Sequence, residues 1–133
     1  MNNLKGNIKS INNKGSLSIV DINVGNNIIF KTIIIESPKT ASYLIEDHKI
    51  NVVFKETEVV IGKGVIHPIS MQNKVVGTIL NIEKGELLSK VTIDIAIGKI
   101  VSIITTSAVE NLELSLGEEI TAMIKTNEIM LSE

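Results

Sequence analysis

The chain of 133 residues contains no cysteine and no tryptophan, and it has only one tyrosine and two phenylalanines. Without cysteine, the chain can form no disulfide bond and offers no thiolate nucleophile or sulfur metal ligand. The formal net charge is −2. The sequence therefore lacks both the basic surface and the aromatic stacking platforms that nucleic-acid binding requires. We expect no direct nucleic-acid partner.

Arginine is also absent, so all 13 basic residues are lysines. The planar guanidinium fork that holds carboxylates and phosphates in two-pronged contacts is therefore excluded. Any bound anion must be held by lysine ammonium groups, hydroxyls and backbone N–H groups.

Long apolar runs are missing as well. No stretch approaches the roughly 20 apolar residues needed to cross a bilayer. The first residues, Met1 to Lys5, lack the cationic segment and apolar run of an export signal. The sequence therefore predicts a cytoplasmic location and no membrane partner.

The residues of catalytic and metal centres are sparse. The two histidines, His48 and His67, stand in unrelated contexts, and neither belongs to a metal-binding spacing. No nucleophile and base can be paired, and no glycine-rich phosphate loop is present. We predict that the chain is not an enzyme, has no covalent cofactor and coordinates no metal ion directly.

What the chain does have is β-branched hydrophobic sequence. Hydrophobic residues make up 44% of the chain, and isoleucine and valine, which favour strands, dominate them. Between Val91 and Ile97 apolar and polar residues alternate, as expected for a strand with one buried face. The second half contains five such segments, namely 75–82, 91–97, 100–104, 120–125 and 128–131.

One segment in each half breaks the strand pattern. Thr106–Leu112 begins with hydroxyl residues suited to capping a helix and is followed by Gly117, a helix stop. Glu36–Ile45 is its predicted counterpart, with a proline near the start. Five strands and a short helix before the fourth strand indicate a Greek-key barrel of the OB type.

The second half repeats the first in outline, with a period of about 70 residues. Leu4-Lys5-Gly6 matches Val75-Val76-Gly77, Val20-Asp21-Ile22 matches Ile93-Asp94-Ile95, and Lys55 matches Lys125. We therefore predict an all-β chain of tandem five-stranded OB-type barrels, each with a short helix. The predicted domains are residues 1–65 and residues 66–133.

Three segments carry suitable ligands for an anion. Ser70-Met71-Gln72-Asn73 offers a hydroxyl, two amides and backbone N–H groups, and Lys125-Thr126 places a cation beside a hydroxyl at a strand end. The third, Thr105-Thr106-Ser107, lies at the entrance of the predicted helix, where N–H groups are unpaired. From the residues alone two alternatives stay open, since the hydroxyls also fit helix caps and Lys125 fits an ordinary surface lysine.

These segments resemble the Mop domain family, the molbindins and the related TOBE domains of molybdate transporters and regulators. The resemblance covers residues 70–133 and is carried by the segments Ser70-Met71-Gln72-Asn73, Lys74-Val75-Val76-Gly77, Ile104–Leu112, Leu116-Gly117-Glu118-Glu119 and Ile120–Thr126. The first half resembles a more diverged copy. The resemblance implies tandem Mop/TOBE barrels, threefold-symmetric oligomers and tetrahedral molybdate or tungstate bound between barrels.

Carried over by position, the resemblance implies an oxyanion site in the second half, with Lys55 as a candidate in the first half. The implied second-half ligands are Ser70, Met71, Gln72, Thr105, Lys125 and Thr126. Several positions depart from the family pattern, and Ala108 stands where many members carry serine. Gln72 replaces an arginine, and Lys55 is followed by Glu56, whose negative charge would repel an oxyanion. Of the opening motif, the first half retains only Asn3.

Three functions are compatible with these expectations. The first is a cytoplasmic molybdate- or tungstate-binding protein for storage or homeostasis, assembled as a homotrimer of two-lobed chains. The second is an oxyanion-sensing or interaction module of a molybdate regulator or transporter system, with partly decayed sites. The third is a structural oligomer whose sites have decayed. Fold resemblance alone does not decide among them.

Overall fold

Ten strands form two five-stranded antiparallel sheets in a computed structural model that describes residues 1–133. The strands are β1 (Asn2–Lys14), β2 (Leu17–Asn23), β3 (Ile29–Ile34), β4 (Lys49–Phe54), β5 (Val60–Lys63), β6 (Asn73–Lys84), β7 (Leu88–Ile95), β8 (Gly98–Thr105), β9 (Glu119–Ile124) and β10 (Met130–Ser132). One α-helix, α1 (Thr106–Asn111), and two 3₁₀ turns, Glu56–Glu58 and Thr126–Glu128, complete the chain. The predicted all-β architecture of tandem OB-like barrels is confirmed.

Alternation of buried and exposed side chains explains how each strand lies on the core. In β7, Val91, Ile93 and Ile95 are buried, and their neighbours in the strand are more exposed, as the sequence pattern predicts. The buried residues of both sheets form one hydrophobic cluster. Phe30 and Phe54 pack in it with ring centroids 6.0 Å apart. The two barrels therefore share a core rather than meeting through a solvated gap.

Each sheet takes its fifth strand from the other half of the chain. The first sheet has the order β10-β4-β1-β2-β3 and the second has the order β5-β9-β6-β7-β8. Leu131 in β10 pairs with Val52 in β4, whereas Ile61 in β5 pairs with Ala122 in β9. Neither barrel is complete without a strand from the opposite half.

The two hydrogen-bonded sheets do not coincide with the two halves of the sequence. The predicted boundary after residue 65 describes the sequence repeat and stays a prediction. The hydrogen-bonded sheets, in contrast, cross that boundary twice, through β5 and β10.

The structural repeat differs in register from the repeat read from the sequence. Ile22 pairs with Ile8, and Ile93 pairs with Ile79; a bulge follows Ile8 in β1 and Ile79 in β6. Ile93 is therefore the counterpart of Ile22, and the predicted match of Asp21 with Asp94 is wrong by two residues. The reason is that a two-residue shift keeps every side chain on the same face of a strand, so the hydrophobic pattern does not reveal it.

The first half lacks the helix predicted over 36–45. The segment forms consecutive turns, with a single helix-like contact from the Ala41 N–H to the Ser37 carbonyl at 2.8 Å. The Thr40 hydroxyl accepts from the Ser37 N–H at 2.9 Å. Side-chain hydroxyls that bind nearby backbone groups in this way compete with helix formation.

Within the turn segment, Tyr43 donates a hydrogen bond to the Glu36 carboxylate at 2.7 Å. Burial, and then this contact, raise the pKa of Tyr43 to about 12. Because the folded pKa lies above the unfolded value, the contribution of Tyr43 to stability is complete below pH 10 and is lost as the pH rises through about 12.

We expect tyrosinate absorbance to appear with a midpoint near pH 12 in the native protein and near pH 10 in urea. The signal is unambiguous because the chain has one tyrosine and no tryptophan. A native midpoint equal to the one in urea would contradict the Glu36 contact.

Candidate functional site

The structure brings the opening segment of the second half next to Lys125. Asn73, the first residue of β6, pairs with Ile124, the last residue of β9. The segment Ser70-Met71-Gln72 leads into this strand pair and Lys125-Thr126 follows it, so both segments lie at the same end of the second sheet. Together they are called the Lys125 cluster. Ser70, Gln72 and Lys125 are exposed. Their donors are therefore open to a ligand from solvent.

Asn73 does not contribute a free amide to this cluster. Its side chain is fully buried and makes two contacts with the backbone of Lys31 in β3. The Lys31 N–H donates to Asn73 Oδ1 at 2.6 Å, and Asn73 Nδ2 donates to the Lys31 carbonyl at 2.8 Å. Of the two amides expected to serve an anion, only that of Gln72 is available. Asn73 positions the opening segment against the first barrel.

Replacing Asn73 with alanine should destabilise the protein by about 1–3 kcal/mol, because its fully buried side chain loses two hydrogen bonds to the partly buried backbone of Lys31. Urea unfolding measures the change in the free energy of unfolding. Asn12→Ala is the matched control, since Asn12 lies on the exposed part of β1. Equal losses in the two variants would show that the bridge to Lys31 does not hold the barrels together.

Thr105 lies away from the Lys125 cluster within one chain. Thr105 pairs with Leu88 in β7, and the next residue of β7, Ser89, pairs with Lys84 at the C-terminal end of β6. Lys125 instead follows Ile124, which pairs with Asn73 at the N-terminal end of β6. Its side chain accepts from the Ala108 N–H at 3.1 Å and so caps α1. The cap of α1 is therefore Thr105, and the expectation that Thr106, the first residue of the predicted helix, would cap it is wrong. Thr106 is buried and donates to the Gly85 carbonyl at 2.8 Å instead.

The first half contains an equivalent group, called the Lys55 cluster, which is formed by Lys55-Glu56 and Met1-Asn2. Lys55 precedes a 3₁₀ turn with backbone angles φ −73° and ψ 147°, close to φ −66° and ψ 148° at Lys125. Asn2 makes the same bridge as Asn73, since Nδ2 donates to the Val101 carbonyl and Oδ1 accepts from the Val101 N–H, both at 2.8 Å. Asn2, not Asn3, is therefore the counterpart of Asn73.

Glu56 gives the first cluster a different charge from the second. Its carboxylate accepts from the Met1 ammonium group at 2.8 Å, and this contact lowers the pKa of Glu56. Glu56 occupies the place that Thr126 has in the second turn. A hydroxyl donor in one cluster is thus replaced by a charged acceptor in the other.

Sequence reasoning missed the bridging role of the two asparagines. A signal was available, because Asn2 and Asn73 stand at the same spacing before Gly6 and Gly77, the glycines shared by the two halves. Lys31 was also missed. It lies beside Asn73 and pairs with Asp21 at 2.6 Å, a contact between strands that nothing in the local sequence marks.

No group of three or more histidine, cysteine, aspartate or glutamate side chains is arranged to hold a metal ion. None of the helices is long and apolar enough to cross a membrane.

This chain is similar in sequence to molybdenum-pterin-binding proteins and in structure to a molybdate-binding protein. The TOBE domain model matches residues 69–131. Molybdenum-pterin-binding proteins 1 and 2 of Clostridium pasteurianum are 39% and 38% identical to this chain over 64 residues, which is 47% of this chain and 94% of each relative. The cytoplasmic molybdate-binding protein ModG, in a crystal form with molybdate bound, superposes with a TM-score of 0.89 at 25% identity. The match covers 98% of this chain and 94% of ModG.

The fold and the paired clusters thus define a protein of two OB-like barrels joined by exchanged strands. The chain belongs to the Mop/TOBE domain family. The second half carries the family match, and the likeness to ModG extends over both halves.

Proposed function

We propose that this chain is a cytoplasmic molybdate- or tungstate-binding protein that stores or buffers the oxyanion. The observation that carries the proposal is the cluster of donors at one end of the second sheet, where Ser70-Met71-Gln72 and Lys125-Thr126 lie on adjoining strands. The likeness of the whole chain to molybdate-bound ModG supports the choice of ligand.

The chemistry of the cluster suits a dianion. Molybdate and tungstate accept hydrogen bonds but donate none, so their site must consist of donors. Lys125 supplies an ammonium group, Ser70 and Thr126 supply hydroxyls, and the backbone at Met71 and Gln72 supplies N–H groups. Charge-assisted hydrogen bonds from such donors are short and strong. Because Gln72 is neutral, Lys125 is the main cation of the second-half cluster.

The proposed assembly is a homotrimer in which barrels of neighbouring chains complete the sites. In one chain Thr105 lies at the end of the second sheet away from Lys125. A second copy is therefore required if a Thr105 hydroxyl is to reach the Lys125 cluster. Large apolar side chains are available for such contacts, since Ile35, Ile66 and Leu87 are each more than 80% exposed.

A second candidate function is an oxyanion-sensing or interaction module in a molybdate regulator or transporter system. The observation that favours it is the exposed apolar connector after β5, in which Val65, Ile66 and Ile69 are at least half exposed. Such a surface could dock on another protein. Neither proposed function requires catalysis, and the clusters contain no paired nucleophile and base.

Isothermal titration of the full chain with molybdate, tungstate, sulfate and phosphate tests the proposal. We expect saturable heat with molybdate and tungstate and much weaker binding of sulfate, whose tetrahedron is smaller. Absence of heat with all four anions would refute both the storage and the sensing function. Sedimentation of the same sample tests the trimer, which a monomer at all concentrations would contradict.

A further inference from the structure

The two clusters at Lys55 and Lys125 are equivalent in backbone structure. Each lysine follows the fourth strand of its half and precedes a 3₁₀ turn. Each turn is closed by the same contact, from the Glu58 N–H to the Lys55 carbonyl and from the Glu128 N–H to the Lys125 carbonyl, both at 3.0 Å. The residue after each lysine is therefore held in the same place relative to it.

The surroundings of the two turns are equivalent too. The turn after Lys55 packs on β8, and the turn after Lys125 packs on β3. Ser102 in β8 donates to the carbonyl of Val59, and Thr32 in β3 donates to the carbonyl of Ile129, each at 2.8 Å. The same set of contacts thus fixes both clusters, and differences between them reside in the side chains.

Those side chains differ in charge. After Lys125 stands the Thr126 hydroxyl, and after Lys55 stands the Glu56 carboxylate. Next to the second cluster, Asn73 binds the backbone of Lys31; next to the first, Asn2 binds the backbone of Val101. Lys31 and Glu56 each have an oppositely charged partner, Asp21 at 2.6 Å and the Met1 ammonium group at 2.8 Å. Within the turns themselves, the difference is a hydroxyl donor at Thr126 against a carboxylate acceptor at Glu56.

We propose that Glu56 excludes oxyanions from the Lys55 cluster, so that the chain binds them at the Lys125 cluster alone. The inference rests on the proposed function. A carboxylate only accepts hydrogen bonds, so it gives a dianion no contact where Thr126 would donate one. Its negative charge, part of which the Met1 ammonium group at 2.8 Å offsets, also opposes the dianion. Glu56 is thereby a residue that determines how many anions each chain holds.

The test is a reciprocal pair of substitutions, each titrated with molybdate in the full chain. Thr126→Glu should abolish binding by placing at the second cluster the carboxylate found naturally at the first. Glu56→Thr should increase the number of anions bound per chain relative to the unsubstituted protein. Glu58→Gln is the matched control, because Glu58 and its counterpart Glu128 are present in both turns and do not distinguish them. Thermal unfolding of each variant verifies that it folds.

The outcomes separate this inference from the proposed function. An unchanged number of anions in Glu56→Thr, or undiminished binding in Thr126→Glu, would overturn the exclusion by Glu56. If the unsubstituted chain binds no oxyanion but Glu56→Thr does, the proposed function fails while the exclusion by Glu56 stands. If neither binds, both are overturned.

Discussion

Replacing Lys125 with alanine is expected to weaken molybdate binding by about 10- to 150-fold. Lys125 is exposed at the end of β9 and stands beside the opening segment through the pairing of Asn73 with Ile124. A hydrogen bond to a charged group contributes about 1.5–3 kcal/mol, which corresponds to this range in the dissociation constant. The loss falls near the upper end if Lys125 is the only ammonium group in contact with the anion.

Titration calorimetry of Lys125→Ala measures the effect directly. Lys14→Ala is the matched control, because Lys14 is also exposed but lies at the tip of the hairpin that joins β1 and β2 in the first sheet. The control should bind as the unsubstituted chain does. If both variants bind alike, the anion is held elsewhere on the chain.

Placing proline at both Met130 and Leu131 is expected to open the first sheet, although these residues belong to the second half of the sequence. Both pair with β4, through Val53 and Val52. Proline has no backbone N–H, so consecutive prolines remove the donors by which β10 holds that strand. Amide hydrogen exchange should then be faster in β4 and largely unchanged in β9.

The reciprocal variant, with proline at both Val60 and Ile61, serves as the matched comparison. Its effect should appear in β9, because Val60 pairs with Met123 and Ile61 with Ala122. Faster exchange in β4 from this variant, or in β9 from the first one, would contradict the strand exchange. Ile61 is also buried, so this variant should lose more stability than the first.

Strand alternation and composition predicted the all-β architecture, and the sequence repeat predicted that the barrels occur in tandem. The exchange of β5 and β10 was not predictable, because the period of a strand specifies which face is buried but not which sheet it joins. The register error at Asp21 and Asp94 arises in a similar way, because alternation indicates the face of a side chain but not the residue with which it pairs. The helix expected over 36–45 failed because the Ser37 and Thr40 hydroxyls bind the local backbone instead.

The candidate site was only partly accessible from the sequence. Hydroxyl, amide and ammonium donors could be recognised, but their arrangement depends on which strands adjoin. The pairing of β6 with β9 brings Ser70-Met71-Gln72 to Lys125-Thr126 and leaves Thr105 at the other end of the sheet. The use of Asn73 as a bridge to Lys31 required the packing of the two barrels to be known.

The most direct test of the central claim is a crystal structure of the full chain with tungstate, in which anomalous scattering locates the tungsten atoms. We predict tungsten beside Lys125 and Thr126, in contact with the Ser70-Met71-Gln72 segment, and none beside Lys55 and Glu56. Tungsten bound only at other surfaces, with the Lys125 cluster free of it, would contradict the account.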